Sequence, residues 1–161
     1  MQFNINTDEA QPITDMELSE ILSSVYVGGG FTELDVADKL FEPSTVRERG
    51  ILITAREKQT LLLAGIVMIV PAESPASCIA QGAEAEMHLL AVKSGYRRRG
   101  LGKMLVDEVI KRAKKNGYSK MILWTQTSMK TAQNLYESKD FVHIKDVNRN
   151  ECDFLVYEKL L

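Results

Sequence analysis

The strongest constraint on this sequence is an amphipathic helix pattern over 100–116 with a strand pattern on either side. Leu101, Leu105, Val109 and Ala113 recur at steps of four, and Val106 and Ile110 widen the apolar stripe. Lys111, Arg112, Lys114 and Lys115 crowd the last two turns, where cations suit the helix dipole, and Gly117 supplies a left-handed stop. Upstream, 83–93 alternates as a strand. Its pattern assigns Ala85, Met87, Leu89 and Ala91 to one face and Glu86, His88, Leu90 and Val92 to the other. Downstream, 119–125 reads as a second strand. A strand, a helix and a strand in this order form a right-handed crossover between parallel neighbours. The chain therefore builds a sheet with helices packed on it, an α/β (α+β) architecture.

The rest of the chain supplies further pieces. Gln2 to Asn6 alternates as a short strand. Thr14 or Asp15 caps a helix with Met16, Leu18, Ile21, Leu22 and Val25 as its apolar positions, and Gly28-Gly29-Gly30 ends it. A helix over 32–41 turns Leu34, Val36, Ala37 and Leu40 inward, with Pro43 at its end. Strands follow at 51–56 and 60–71, joined by a polar hairpin. After the crossover come a helix at 129–138 and strands at 141–147 and 153–160.

Composition narrows the class. The chain has 161 residues, 45% hydrophobic and 26% charged, an ordinary globular balance. Cys78 and Cys152 are too few for a disulfide scaffold and have no partners at metal spacing, so they read as reduced thiols. The longest apolar run, 61–71, is about half of a membrane span. With a short polar start, the expectation is a cytoplasmic protein. Charge is split: residues 1–82 carry 5 Lys/Arg against 12 Asp/Glu (net −7), and residues 83–161 carry 15 against 10 (net +5). A nucleic-acid binder would be basic throughout. The split reads either as two differently solvated surfaces or as an anion held by the second half and a cationic partner near the first.

The anion site is the turn between strand and helix, Tyr96-Arg97-Arg98-Arg99-Gly100-Leu101-Gly102-Lys103. Two glycines let the backbone turn tightly and approach a ligand. The helix start offers free N–H groups and positive dipole, and the arginines add phosphate donors. Together these describe a pyrophosphate cradle. The Rossmann fingerprint needs a third glycine, and the P-loop needs a Gly-Lys-Ser/Thr.

At these residues the sequence resembles the GNAT superfamily of N-acetyltransferases. The family's Arg/Gln-x-x-Gly-x-Gly/Ala is Arg97-Arg98-Arg99-Gly100-Leu101-Gly102 here. Its preceding Leu-Ala-Val is Leu90-Ala91-Val92, and its Ala-x-x-Leu-Tyr-Glu is Ala132-Gln133-Asn134-Leu135-Tyr136-Glu137. The match spans 84–142. Two departures stand out. Met129 replaces an Asn that often contacts CoA, and Asp140 replaces the glycine before Phe141.

The resemblance implies one domain over 1–161 and a mixed sheet of about six to seven strands with about four helices. It also implies a splay between strands 83–93 and 119–125. Acetyl-CoA would be the cosubstrate, with its pyrophosphate on the amides of Arg98, Arg99, Gly100, Leu101, Gly102 and Lys103. Leu90, Ala91 and Val92 would hold the pantetheine arm, and one of their amides would serve as oxyanion donor. Tyr136 would stand at the departing thiolate. Glu86 occupies the spacing of the general base in histone-type members, and His88 is the second candidate for that role. The acceptor would be a primary amine attacking in a ternary complex. Polyamine, aminoglycoside, amino-acid derivative and lysine side chain all remain open. An acyl-CoA sensor without turnover is the alternative. The glycine loop 28–30 is either a lid or a helix stop. His143 and Trp124 read as core or sheet residues and not as ligands. No metal, nucleic acid or membrane is implied, and a homodimer is expected.

Overall fold

The computed structural model describes residues 2–161. The element order is β1 (Phe3–Thr7), α1 (Asp15–Leu22), α2 (Leu34–Leu40), α3 (Pro43–Glu48), β2 (Ile51–Glu57), β3 (Leu63–Pro71) and β4 (Glu84–Val92). Then come α4 (Leu101–Lys115), β5 (Lys120–Gln126), α5 (Lys130–Glu137), β6 (Val142–Arg149) and β7 (Cys152–Leu160). The seven strands form one sheet in the order β1-β2-β3-β4-β5-β7-β6. Neighbours are antiparallel except β4 and β5, which are parallel, as the crossover requires. The expected α/β fold with a mixed sheet is therefore present, with five helices among the described residues instead of about four.

β3 is apolar from end to end because both of its faces are covered. Val67 and Ile69 pack toward α4, whose Leu101, Leu105, Val106, Val109 and Ala113 are buried. Ile66, Met68 and Val70 pack toward α1 and its Leu18, Ile21 and Leu22. Thr14 and Glu17 close a capping box on α1. Glu17 also reaches Arg56 on β2 at 2.7 Å, which ties the helix to the sheet.

The parallel ladder is short. It pairs Glu84 with Lys120, Ala85 with Met121 and Glu86 with Ile122, and then stops. β4 continues to Val92 and β5 to Gln126 without pairing, so the sheet splays where expected.

Three expectations need correction. β4 does not alternate evenly. Leu89 has φ of 54°, and Leu89 and Leu90 together face one residue of β3, since Met68 pairs with His88 and Ile66 with Ala91. This bulge swaps the faces downstream: Leu90 and Val92 join Ala85 and Met87 on the α4 side, and Leu89 and Ala91 pack on the α1 side. Helix α2 buries only Ala37; Leu34, Val36 and Leu40 face outward. The third strand begins at Leu63, because Leu61 takes a left-handed turn (φ 61°) and is exposed with Leu62.

Candidate active site

The turn before α4 is shaped by its backbone. A 3₁₀ turn, Ser94–Tyr96, leads into Arg98 at φ 60° and Gly100 at φ 78°, ψ 0°, which is the helix N-cap. The first amide of the helix with a main-chain partner is Met104, bonded to Gly100 O at 3.1 Å. Among the described residues, none of the six amides from Arg98 to Lys103 has an acceptor. Six free donors around a helix start fit a diphosphate. A Cβ on Gly102 would come within 3.2 Å of Leu135, so glycine lets α5 close over this helix. The three arginines differ. Arg97 donates from Nε to Val92 O at 3.1 Å and staples the turn to β4. Arg99 lies over the Tyr96 ring, 3.8 Å from Glu57. Arg98 has no side-chain partner among the described residues.

The splay opens beside this cradle. Lys93 N–H bonds Ala64 O on β3, so strand alternation turns the amides of Leu90 and Val92 toward the gap. The Val92 carbonyl is held by Arg97, and the Leu90 carbonyl accepts from the Tyr26 hydroxyl at 3.2 Å. Close packing fixes this edge. A Cβ on Gly65 would lie 3.0 Å from both Ala91 O and Leu105 Cδ1.

Tyr136, from α5, is buried and packs edge-on against Phe141, with Tyr157 beyond. Burial pushes its phenol well above the ordinary tyrosine range. Asp140 takes φ of 62°, so it adopts the left-handed turn that glycine commonly fills. Met129 caps α5 and receives the Thr125 hydroxyl at 3.5 Å.

Tyr26 carried no signal in the sequence. It lies in a π-helical turn, Ser23–Val27, that continues α1 and stacks on Phe41. Burial raises its pKa, and the neighbouring Tyr136 raises it further. The glycine segment after it is both a helix stop and a strap. Gly30 turns at φ 76°, and Phe31 O accepts from Gln126 Nε2 on β5 at 2.8 Å. Residues 26–31 thus link β4 to β5 over the opening.

Glu86 is sealed in. Its exposure is 0%. Oε1 accepts from Ser77 Oγ at 3.0 Å and from the amides of Cys78, Ile79 and Ala80 at 2.7, 2.5 and 2.9 Å. Oε2 lies 2.6 Å from His88 Nε2. Burial alone would raise its pKa; the His88 bond and the amides outweigh it and bring the value down to about 2. So strongly held an anion is suited to fixing a loop and a histidine, and poorly suited to taking a proton from an incoming amine. His88 keeps 11% side-chain exposure.

His143 is a sheet residue, on β6. It is exposed, pairs with Asp146 at 2.6 Å and stacks on Tyr157. Trp124 is half-buried on β5, with Phe154 on one side and the Arg149 guanidinium 4.9 Å from its ring centre. No cluster of metal-ligating side chains occurs among the described residues. None of their helices is long and apolar enough to cross a membrane.

Comparison with known proteins agrees with this geometry. Residues 16–141 match the model of the acetyltransferase (GNAT) family. The chain is 30% identical over 162 residues to an uncharacterised N-acetyltransferase of Schizosaccharomyces pombe, covering 98% of this chain and 94% of that one. It superposes on a Bacillus subtilis acetyltransferase solved with CoA, with a TM-score of 0.70, 22% identity and 99% of each chain covered. It also superposes on a GNAT acetyltransferase of Elizabethkingia anophelis solved with acetyl-CoA, with a TM-score of 0.68, 17% identity and 99% of each chain covered. The chain belongs to the GNAT acetyltransferase family, an acyltransferase family whose cosubstrate is acetyl-CoA.

Proposed function

We propose that this GNAT acetyltransferase moves the acetyl group of acetyl-CoA to a primary amine by direct attack in a ternary complex, with residues 1–161 acting as one domain. The observation that carries this reading is the run of six unpartnered amides, Arg98 to Lys103, opening onto a splayed and unpaired strand edge. The amides and the side chains of Arg98 and Lys103 hold the pyrophosphate. The edge at Leu90, Ala91 and Val92 pairs with the pantetheine arm. When bound, acetyl-CoA supplies the thioester that the amine attacks.

The residues then divide the work. The Leu90 amide, aimed into the gap, meets negative charge on the carbonyl oxygen. Tyr136, kept protonated by burial, donates a hydrogen bond to the departing sulfur. The base is His88. With its Nε2–H donated to the Glu86 carboxylate, Nδ1 holds the lone pair that accepts the ammonium proton. Glu86 positions His88 through that bond, as a carboxylate orients a histidine in other proton-transfer sites.

The test is thiol release from acetyl-CoA with a panel of primary amines. Release that depends on an amine supports the reading. Tight acetyl-CoA binding with no release from any amine overturns it in favour of an acyl-CoA sensor. The same reading places the protein in the cytoplasm as a homodimer. The exposed Val142 and Ile144 on the edge strand β6 support pairing there, and sedentation of the dimer in analytical ultracentrifugation checks it.

A further inference from the structure

The acceptor side of the splay contains a small cationic cavity that the chemistry above does not use. It measures about 190 Å³ and is lined by Cys78, Ile79, Trp124, Lys145, Val147 and Arg149. Its position is set by the catalytic groups. The amides of Cys78 and Ile79, which form one wall, are the ones bonded to Glu86, and Glu86 is bonded to His88. Trp124 faces the same side of the sheet as Gln126, which holds the strap at Phe31. The cavity wall therefore lies one hydrogen-bond link from Glu86 and two from the proposed base, His88.

Its chemistry is that of an anion site with a flat apolar wall. Arg149 lies over the Trp124 indole, and its Nη1 meets only Cys78 Sγ, at 3.2 Å, a weak acceptor. No carboxylate lies within ion-pair distance of Arg149 or Lys145 among the described residues. The nearby acids are engaged elsewhere: Asp146 with His143, and Asp153 with Asn148 at 2.7 Å. Lys145 and Arg149 are exposed cations with no carboxylate partner, so both are available to an anion that enters from solvent.

Much of the acidic surplus of residues 1–82 is paired within its own half or with the cradle side. Glu17 pairs with Arg56, Asp8 and Asp15 with Arg47, and Glu20 with Lys93. Glu57 meets Arg99. Of the carboxylates of this half that form no ion pair, Glu33, Asp35 and Asp38 occupy exposed positions at α2, and Glu73 is exposed near the start of the loop that carries Cys78 and Ile79.

We propose that this cavity binds a carboxylate carried by the acceptor, so that the amine acetylated belongs to an amino-acid-like molecule rather than to a polyamine. The proposal rests on the transferase reading above. Arg149 and Lys145 take the carboxylate, Trp124 supports the adjoining apolar part, and the amine is left toward His88.

Trp124 is the single tryptophan of the chain, so its fluorescence reports the cavity without any turnover. The CoA-loaded protein is titrated with a panel of N-acetylated α-amino acids, with the same compounds as carboxamides, and with an N-acetylated diamine. The carboxylates should saturate the signal at concentrations about tenfold or more below the carboxamides, the usual scale of one charge-assisted contact. Arg149→Gln and Lys145→Gln should each erase that difference while CoA still raises the melting temperature as before. In thiol release, the free amino acids should exceed their amides by a similar factor in kcat/KM. Equal binding of acids and amides, preference for the diamine, or no saturable response to the carboxylates overturns the proposal. The two readings fail differently: carboxylates that titrate Trp124 without any thiol release sink the transferase alone, and brisk release from carboxylate-free amines with a silent Trp124 sinks the cavity alone.

Discussion

The donor side of the splay is built from neighbours in sequence: six consecutive amides, one left-handed glycine and the start of α4. The proposed acceptor side is assembled from distant segments. Tyr26 meets Leu90 across 64 positions, Gln126 meets Phe31 across 95, and Arg149 meets Cys78 across 71. The donor side works largely through main chain, which almost any side-chain set can present. The acceptor side works through side chains, so its character can change with single substitutions. This difference suits an enzyme whose cosubstrate is fixed by its family while its acceptor is a matter of the individual chain.

The comparison can be broken by substitutions on each side, taken from the largest expected effect to the smallest. Gly100→Glu places a carboxylate in the cradle and forces a side chain into φ of 78°, although no atom stands within 4 Å of the new Cβ. The fold should survive with a cost of about 1–2 kcal/mol. CoA binding in a calorimetric titration should vanish; retained binding would mean that the amides do not hold the diphosphate. On the other side, His88→Gln should lower kcat by about 10²–10⁴ with CoA affinity unchanged. Unchanged kcat would return the base role to solvent or to another group.

Tyr136→Phe should lower kcat by about tenfold, the worth of one hydrogen bond to a charged atom. It should leave the CoA dissociation constant nearly unaltered. A larger effect on affinity than on turnover would make Tyr136 a packing residue. The smallest effect concerns pH. Glu86 titrates near 2 in the folded protein, against an ordinary value of 4.5. Its contribution to order in 77–80 is therefore complete above about pH 4.5 and is lost as pH falls toward 2. Hydrogen exchange of the Cys78, Ile79 and Ala80 amides should accelerate over that interval, and Glu86→Gln should exchange fast at every pH. Glu17 titrates in the same range beside Arg56, so Glu17→Gln serves as the control that leaves this loop untouched.

The same contrast explains what could be read from the sequence. The crossover rests on local periodicity and the cradle motif at Arg97–Gly102 on contiguous residues, while the splay between the two strands is implied by the family resemblance, and the fold shows where it begins, after Glu86. The faces of β4 could not be read, because a one-residue bulge at Leu89 inverts parity and leaves no mark in an alternating pattern. Glu86 stands at the spacing of a base, and only the fold shows the three loop amides that close around it. Helix α2 was expected to bury four apolar positions, but so short a helix meets the core at Ala37 alone. Tyr26 and Arg149 were invisible, since nothing local distinguishes a tyrosine or an arginine that will face a cleft made by other segments.

The three-residue ladder between β4 and β5 has a mechanical meaning. Strands β1–β4 and β5–β7 are two half-sheets sharing a narrow seam, with the strap at 26–31, the α4 connection and the Arg149–Cys78 contact among their other ties. A pantetheine arm laid along Leu90–Val92 would act as a suture for the open part of that seam. The cosubstrate is then a structural member as well as a reactant, and resistance to unfolding should climb with its concentration.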